Sequence, residues 1–179
     1  MTNNLFCQKD TLWFDASWKI TEQDSAVFVR VAEFKEVHFK EFYPFTDFDS
    51  LGVKLKEGIT LDKNTNAFEG EIIYYEQGES VKERILYKNG APYGAHKTYY
   101  PSGRIKSIKN YVFGVLKGGY KSYYENGNLY EVGAYLDNKR NGLWKVYYTN
   151  RKVKEQGQYK NDVRVGVWKV FYYNGLPQE

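Results

Sequence analysis

The sequence predicts an all-β fold: an elongated, twisted antiparallel sheet of stacked β-hairpins, about five repeats of 24 residues, preceded by a β-rich N-terminal cap. Three observations predict it. Gly70, Gly94, Gly118, Gly142 and Gly166 fall on an unbroken 24-residue grid. A tyrosine stands 17 residues after each of the first four: Tyr87, Tyr111, Tyr135 and Tyr159. Aromatic residues make up 18% of the chain and run evenly through the repeats, a composition that favours sheet over helix. Self-similarity at a fixed period marks stacked units, none of which can bury its apolar side alone.

Residues 1–66 are assigned to the cap and 67–179 to the repeat array. In the cap, Thr11–Asp15 and Ser17–Ile20 read as short strands, and Thr21–Ala26 as one helical turn. Thr21 with Asp24 three residues on is a capping-box-like pair. Apolar alternation at Val27, Val29, Val31, Val37 and Phe39 predicts two more strands by Tyr43. The acidic segment Phe45-Thr46-Asp47-Phe48-Asp49 leaves open a recognition loop. Leu55-Lys56-Glu57, Ile59 and Leu61 repeat the spacing of a second hairpin strand, compatible with a decayed repeat over 41–66.

Each later repeat, counted from its glycine as position 0, reads as a hairpin. A first strand at positions 1–6 is followed by a turn, clearest at Glu125-Asn126-Gly127-Asn128, and a second strand at about positions 11–17. Asn-Gly is the strongest short signal for a two-residue type I′ turn. With that tip, Ser122 faces Glu131, Tyr120 faces Gly133, Val146 faces Glu155 and Trp144 faces Gly157, while each grid glycine faces its tyrosine. A ring opposite a glycine has room to lie across the backbone, and a slip of one residue would destroy that match. The Gly70 repeat reads as one residue short, with Ile73 in the aromatic slot. The last hairpin turns at Asn174-Gly175.

The two faces differ. One carries His96, Tyr120, Trp144 and Trp168 at position 2, then Thr98, Ser122, Val146 and Val170, then Tyr100, Tyr124, Tyr148 and Tyr172. Val81, Ile105, Leu129 and Val153 at position 11 are placed with them, making the packed face. Glu83, Glu131 and Glu155 recur at position 13, where a carboxylate among tyrosines is expected to accept phenolic hydrogen bonds. The other face repeats lysine at position 3: Lys97, Lys121, Lys145 and Lys169. Tyr99, Tyr123, Tyr147 and Phe171 stand beside them. Two strands per repeat separate successive lysines by about 10 Å. Such a row is either a solvated face or a binding surface for an acidic partner.

Charge is asymmetric. Residues 1–66 hold 8 Lys and Arg against 11 Asp and Glu, and 67–179 hold 18 against 11. The repeat region is the basic part, so a charged partner is expected to be acidic. Cys7 alone rules out an internal disulfide framework. Nothing approaches a membrane span or a secretory signal, so the expected compartment is the cytoplasm. No catalytic constellation, metal cluster, phosphate loop or dinucleotide fingerprint is present; no cofactor and no small-molecule substrate are expected. His38 and His96 are too few for a metal site with Cys7, and His96 fills a slot taken elsewhere by Tyr or Trp.

Gly142, Trp144, Tyr147, Tyr148, Val153, Glu155 and Tyr159 carry a pattern that resembles the MORN repeat, in its bacterial variant with antitoxin-like members of toxin–antitoxin systems. The eukaryotic form has a second glycine and a shorter period, which this chain lacks. The resemblance implies a non-catalytic protein-binding scaffold of antitoxin or immunity type, neutralising a cognate toxin or effector by direct binding. Lys97, Tyr99, Lys121, Tyr123, Lys145, Tyr147 and Lys169 are the candidate contact residues. A scaffold on anionic lipid or the cell envelope is the alternative. Nucleic acid ranks last, for want of any RNA-binding signature.

Overall fold

Alternating side chains punctuated by glycine and asparagine turns make nearly every element a strand. The computed structural model describes residues 9–37, 40–76 and 80–178, so Cys7, His38 and Phe39 lie outside the described residues. The chain divides into two compact units, Met1–Ala91 and Pro92–Glu179. The start of the repeat grid falls inside the first.

The first unit contains β1 (Lys9–Phe14), β2 (Phe28–Glu33), β3 (Lys35–Val37), β4 (Lys40–Asp49), β5 (Lys54–Thr60), β6 (Phe68–Tyr75) and β7 (Val81–Lys88). They pair antiparallel in the order β1-β2-β4-β5-β6-β7, with β3 on β4. The second predicted cap strand reduces to a single bridge, Phe14 to Ile20. The helical turn is a 3-10 turn at Gln23–Ser25, led by Glu22 with no side-chain cap, so Thr21 does not cap it. Phe45–Asp49 is not a loop. It lies in β4 between β2 and β5, with Phe45 and Asp47 buried.

The apolar core of this unit is Ala32, Phe45, Phe68 and Ile72, with Tyr74 and Tyr87 against it. Beside it lies a charged row built by register: Arg30 pairs with Asp47, Asp47 with Lys56, and Lys56 with Tyr74. Arg30 and Asp47 are both 0% exposed and joined by two hydrogen bonds of 2.7 and 2.8 Å. The Arg30 guanidinium also donates to the Thr65 carbonyl and the Asn66 side chain, latching the β5–β6 loop, and lies 4.4 Å from the Phe45 ring centroid. Lys56 Nζ sits 3.4 Å from Asp47 and 4.0 Å from the Trp18 ring. Burial pushes the Lys56 ammonium below its usual range, with Asp47 opposing. Charges this deep persist only when fully paired.

Within residues 41–66, β4 and β5 pair as an antiparallel hairpin. Gly58 lies under Ile72, and a Cβ there would meet Ile72 Cδ1 at 2.3 Å. The Gly70 repeat is full length: Gly70 pairs with Tyr87 and Tyr74 with Glu83. Ile72, not Ile73, therefore fills the aromatic slot, and Ile73 stands where later repeats carry lysine.

The second unit contains β8 (Ala91–Tyr99, all but its first residue), β9 (Ile105–Val112), β10 (Val115–Leu116), β11 (Gly118–Tyr123), β12 (Leu129–Leu136), β13 (Lys139–Tyr147), β14 (Val153–Lys160) and β15 (Val163–Val170). All pairing is antiparallel, in the order β8-β9-β11-β12-β13-β14-β15, with β10 on β9. The predicted register holds residue for residue: Gly118 with Tyr135, Tyr120 with Gly133, Ser122 with Glu131, Trp144 with Gly157 and Val146 with Glu155.

The turns reaching that register differ from expectation. At Tyr124–Asn128 the Gly127 N–H donates to the Tyr124 carbonyl and Gly127 has φ +87°, whereas Asn126 keeps a negative φ. This is a three-residue loop, a type I turn closed by a left-handed residue. Asn126 Oδ1 accepts the Asn128 N–H and holds that shape. Tyr123 then pairs with Leu129, and a bulge before Ser122 restores the predicted register. Arg151 takes the left-handed place of Gly127 one repeat on, at φ +69°. The type I′ turns lie at the other end of the hairpins, at Phe113-Gly114, Asp137-Asn138 and Asn161-Asp162, with both central φ positive.

The bulge also moves position 11. Ile105, Leu129 and Val153 pair directly with Tyr99, Tyr123 and Tyr147, so they belong to the lysine face rather than the packed face. On the packed face the indoles lie across glycine as expected, but on the glycine of the preceding hairpin: Trp144 on Gly133 and Trp168 on Gly157. Trp144 is 1% exposed. It is ringed by Tyr120, Tyr135 and Tyr159 and donates Nε1–H to the Ala134 carbonyl at 3.2 Å. His96 packs against Tyr111, ring centroids 6.0 Å apart.

The recurring phenols do not donate to the position 13 carboxylates Glu131 and Glu155. Tyr100, Tyr124 and Tyr148 donate instead to the carbonyls of Tyr123, Tyr147 and Phe171, one repeat ahead, at 2.7, 2.7 and 2.9 Å. Glu155 pairs with Arg164 at 3.0 Å. Glu131 is half-buried, and burial raises its carboxyl above the usual range, opposed by Arg140.

A lysine row as the candidate functional site

Antiparallel register determines which side chains stand abreast on one face. In the second unit, direct cross-strand pairing runs Lys97–Ile108–Lys121–Val132–Lys145–Gln156–Lys169 without interruption. The four predicted lysines therefore form one row at right angles to the strands, cation alternating with neutral side chain. Toward the hairpin tips lies a second row, in which Tyr99, Tyr123 and Tyr147 alternate with Ile105, Leu129 and Val153. All seven candidate contact residues thus share one surface. The interleaved Ile108, Val132 and Gln156 and the aliphatic row were missed. Placing the former needed strand pairing, and the latter needed the bulge.

Lys121 and Lys169 are exposed, Lys97 and Lys145 half-buried. None of the four forms an ion pair or hydrogen bond among the described residues. Among the described residues of this unit, no carboxylate shares their face. The acidic residues described in this unit are Glu125, Asp137 and Asp162 in turns and Glu131 and Glu155 on the opposite side. The unit as a whole carries 15 Lys and Arg against 6 Asp and Glu. Unit charges 10 Å apart in water repel by about 0.4 kcal/mol before screening, and less at physiological salt. The row is therefore tolerated without partners, yet adds up for an anion lying along it.

Apolar groups stand among the cations. Leu143 is 49% exposed and Val167 81%. Two depressions open on the face: one of about 250 Å³ beside Lys121, Tyr123 and Gly119, another of about 290 Å³ between Lys145 and Lys169.

The corresponding surface of the first unit has opposite character. A shallow groove of about 440 Å³ is lined by Glu33, Glu57 and Glu71, with Lys9 and Thr46, among apolar residues. Its carboxylates are already engaged: Glu33 by Lys9, Glu57 by Lys54 and the Tyr75 hydroxyl, and Glu71 by Arg84. Lysine and tyrosine hydrogen bonds hold the Glu57 carboxyl below its usual range. No described helix is long and apolar enough to cross a membrane.

Three segments of the second unit, residues 92–112, 117–137 and 140–161, match the family described as MORN repeat variant. The matched segments cover well under half of the chain and follow the hairpins strand for strand. No curated protein sequence matches the chain. By this similarity residues 92–161 resemble an array of MORN-type repeats.

Proposed function

We propose that this chain is a non-catalytic binding scaffold of antitoxin or immunity type, which neutralises a cognate toxin or effector by laying its lysine face over an acidic functional surface. The observation that carries the reading is a row of four lysines that have no ion pair and no carboxylate on their face among the described residues of the second unit, flanked by tyrosines and exposed aliphatic residues. Tyrosine supplies broad, rigid contact area with few rotors, and aligned charge speeds encounter and selects partner sign. The test is the double charge reversal Lys121→Glu/Lys145→Glu, assayed against the purified product of a toxin or effector gene adjacent to this one. Affinity is expected to fall, and the wild-type affinity to weaken as salt rises. Unchanged affinity in the double variant would remove the lysine face from the interaction.

A second reading has its own observation. Leu143 and Val167 project beside Lys145 and Lys169, the combination of apolar and cationic groups that favours anionic membrane surfaces. Salt-sensitive flotation with phosphatidylserine vesicles, abolished by the same double variant, would favour an envelope-associated scaffold instead.

A further inference from the structure

The three steps of the lysine row are not equivalent. Between Lys97 and Lys121 stands Ile108, between Lys121 and Lys145 stands Val132, and between Lys145 and Lys169 stands Gln156. Only the last step places a hydrogen-bonding side chain between two ammonium groups. Gln156 is the direct cross-strand neighbour of both lysines, is half-buried, and its carboxamide has no hydrogen-bond partner among the described residues. The depression of about 290 Å³ opens at the same place. Gly157 lines it without a side chain, because Gly157 is the residue over which Trp168 lies on the opposite face. Leu143 and Val167 form its apolar rim.

We propose that this depression is the anchor pocket of the lysine face, and that it takes one carboxylate from an extended acidic segment of the partner protein. The inference rests on the binding role proposed for that face. A carboxylate offers two oxygens, enough to accept from the Gln156 amide while lying between the ammonium groups of Lys145 and Lys169. The Gln156 carbonyl remains available for a backbone N–H of the same segment. An apolar side chain next to the acidic residue covers Leu143 and Val167. That rim is why a peptide, rather than a bare anion, fits the site. At the other two steps Ile108 and Val132 give a carboxylate nothing to bond, so those lysines contribute attraction without fixing position.

The experiment uses the full chain and a capped hexapeptide of alternating glutamate and valine. Binding is followed by calorimetry and by the side-chain amide resonance of Gln156. Gln156→Ile copies the residue that Ile108 supplies two strands pairs away, so the hairpins are expected to fold. The Gln156 resonance is expected to shift on titration. Affinity is expected to fall about tenfold in Gln156→Ile and about tenfold in Lys169→Met, as for loss of one hydrogen bond to a charged group, and much less in Lys97→Met. Equal losses at Lys97 and Lys169 with no effect of Gln156→Ile would overturn the pocket and leave the face as a diffuse binding surface. Gln156-dependent binding of inorganic phosphate or phosphatidylserine vesicles, with no binding of the hexapeptide, would overturn the peptide assignment. A wild-type chain that binds none of these probes would overturn both the pocket and the binding role of the face.

Discussion

The packing of Trp144 on Gly133 can be tested by adding one carbon. A Cβ built on Gly133 would lie 2.2, 2.3 and 2.7 Å from three atoms of the Trp144 indole. An ordinary carbon–carbon contact needs roughly 3.5 Å, so in Gly133→Ala the ring must move by more than an ångström. It has little room, since Trp144 is 1% exposed and enclosed by Tyr120, Tyr135 and Tyr159. Movement also breaks the 3.2 Å bond from Nε1 to the Ala134 carbonyl. Overpacking costs about 1–3 kcal/mol and the lost hydrogen bond about 1 kcal/mol. Alanine restricts the unfolded chain, which offsets roughly 0.5 kcal/mol. The expected net loss is about 1.5–3.5 kcal/mol, read from urea unfolding followed by tryptophan fluorescence and circular dichroism. Gly103→Ala makes a useful contrast: nothing lies within 4 Å of its Cβ, and only its φ of +78° opposes the change, at about 1 kcal/mol. The decisive comparison repeats Gly133→Ala in a Trp144→Ala background, where the clash is gone and the substitution should be nearly neutral. An equal loss in both backgrounds would refute the steric argument.

Asp47→Ala strands the buried Arg30 and Lys56 without their counter-charge and should destabilise the first unit by about 3–5 kcal/mol, measured by thermal or urea unfolding. Tyr148→Phe removes one phenol-to-carbonyl bond at constant volume and should cost about 1 kcal/mol, with Tyr100→Phe and Tyr124→Phe similar. Glu131 titrates above its ordinary 4.5 in the folded state because burial disfavours its charge. Its protonated form therefore favours folding below that value, and this stabilisation disappears as pH rises through the raised pKa. Glu131→Gln should accordingly stabilise the protein at neutral pH and flatten that part of the pH–stability profile.

The hairpin register was legible because two constraints coincide: a grid glycine opposite a tyrosine, and a glycine opposite an indole. A slip of one residue violates both. Turn type was not legible at Asn126-Gly127, because the same dipeptide closes either a type I′ turn or a type I turn with a left-handed glycine. The Asn126 side chain decides between them by accepting the Asn128 N–H. Misplacing Leu129 and Val153 followed directly, since the bulge that compensates for the longer loop reverses their face. The lysine row was legible in outline from position 3 alone, but its unequal steps were not. Gln156 gains meaning only when β14 is seen between Lys145 and Lys169. In the first unit, Arg30 amid Val29 and Val31 marks a charge on an alternating strand, but its partner 17 residues away emerges only from the β2–β4 pairing.

The tyrosine hydroxyls that reach one repeat ahead join each hairpin to its neighbour and to nothing more distant. Under mechanical tension the second unit should therefore yield one hairpin at a time. Each rupture would release 24 residues, an extension of about 80 Å. A single-molecule trace of this region would be a staircase with equal treads.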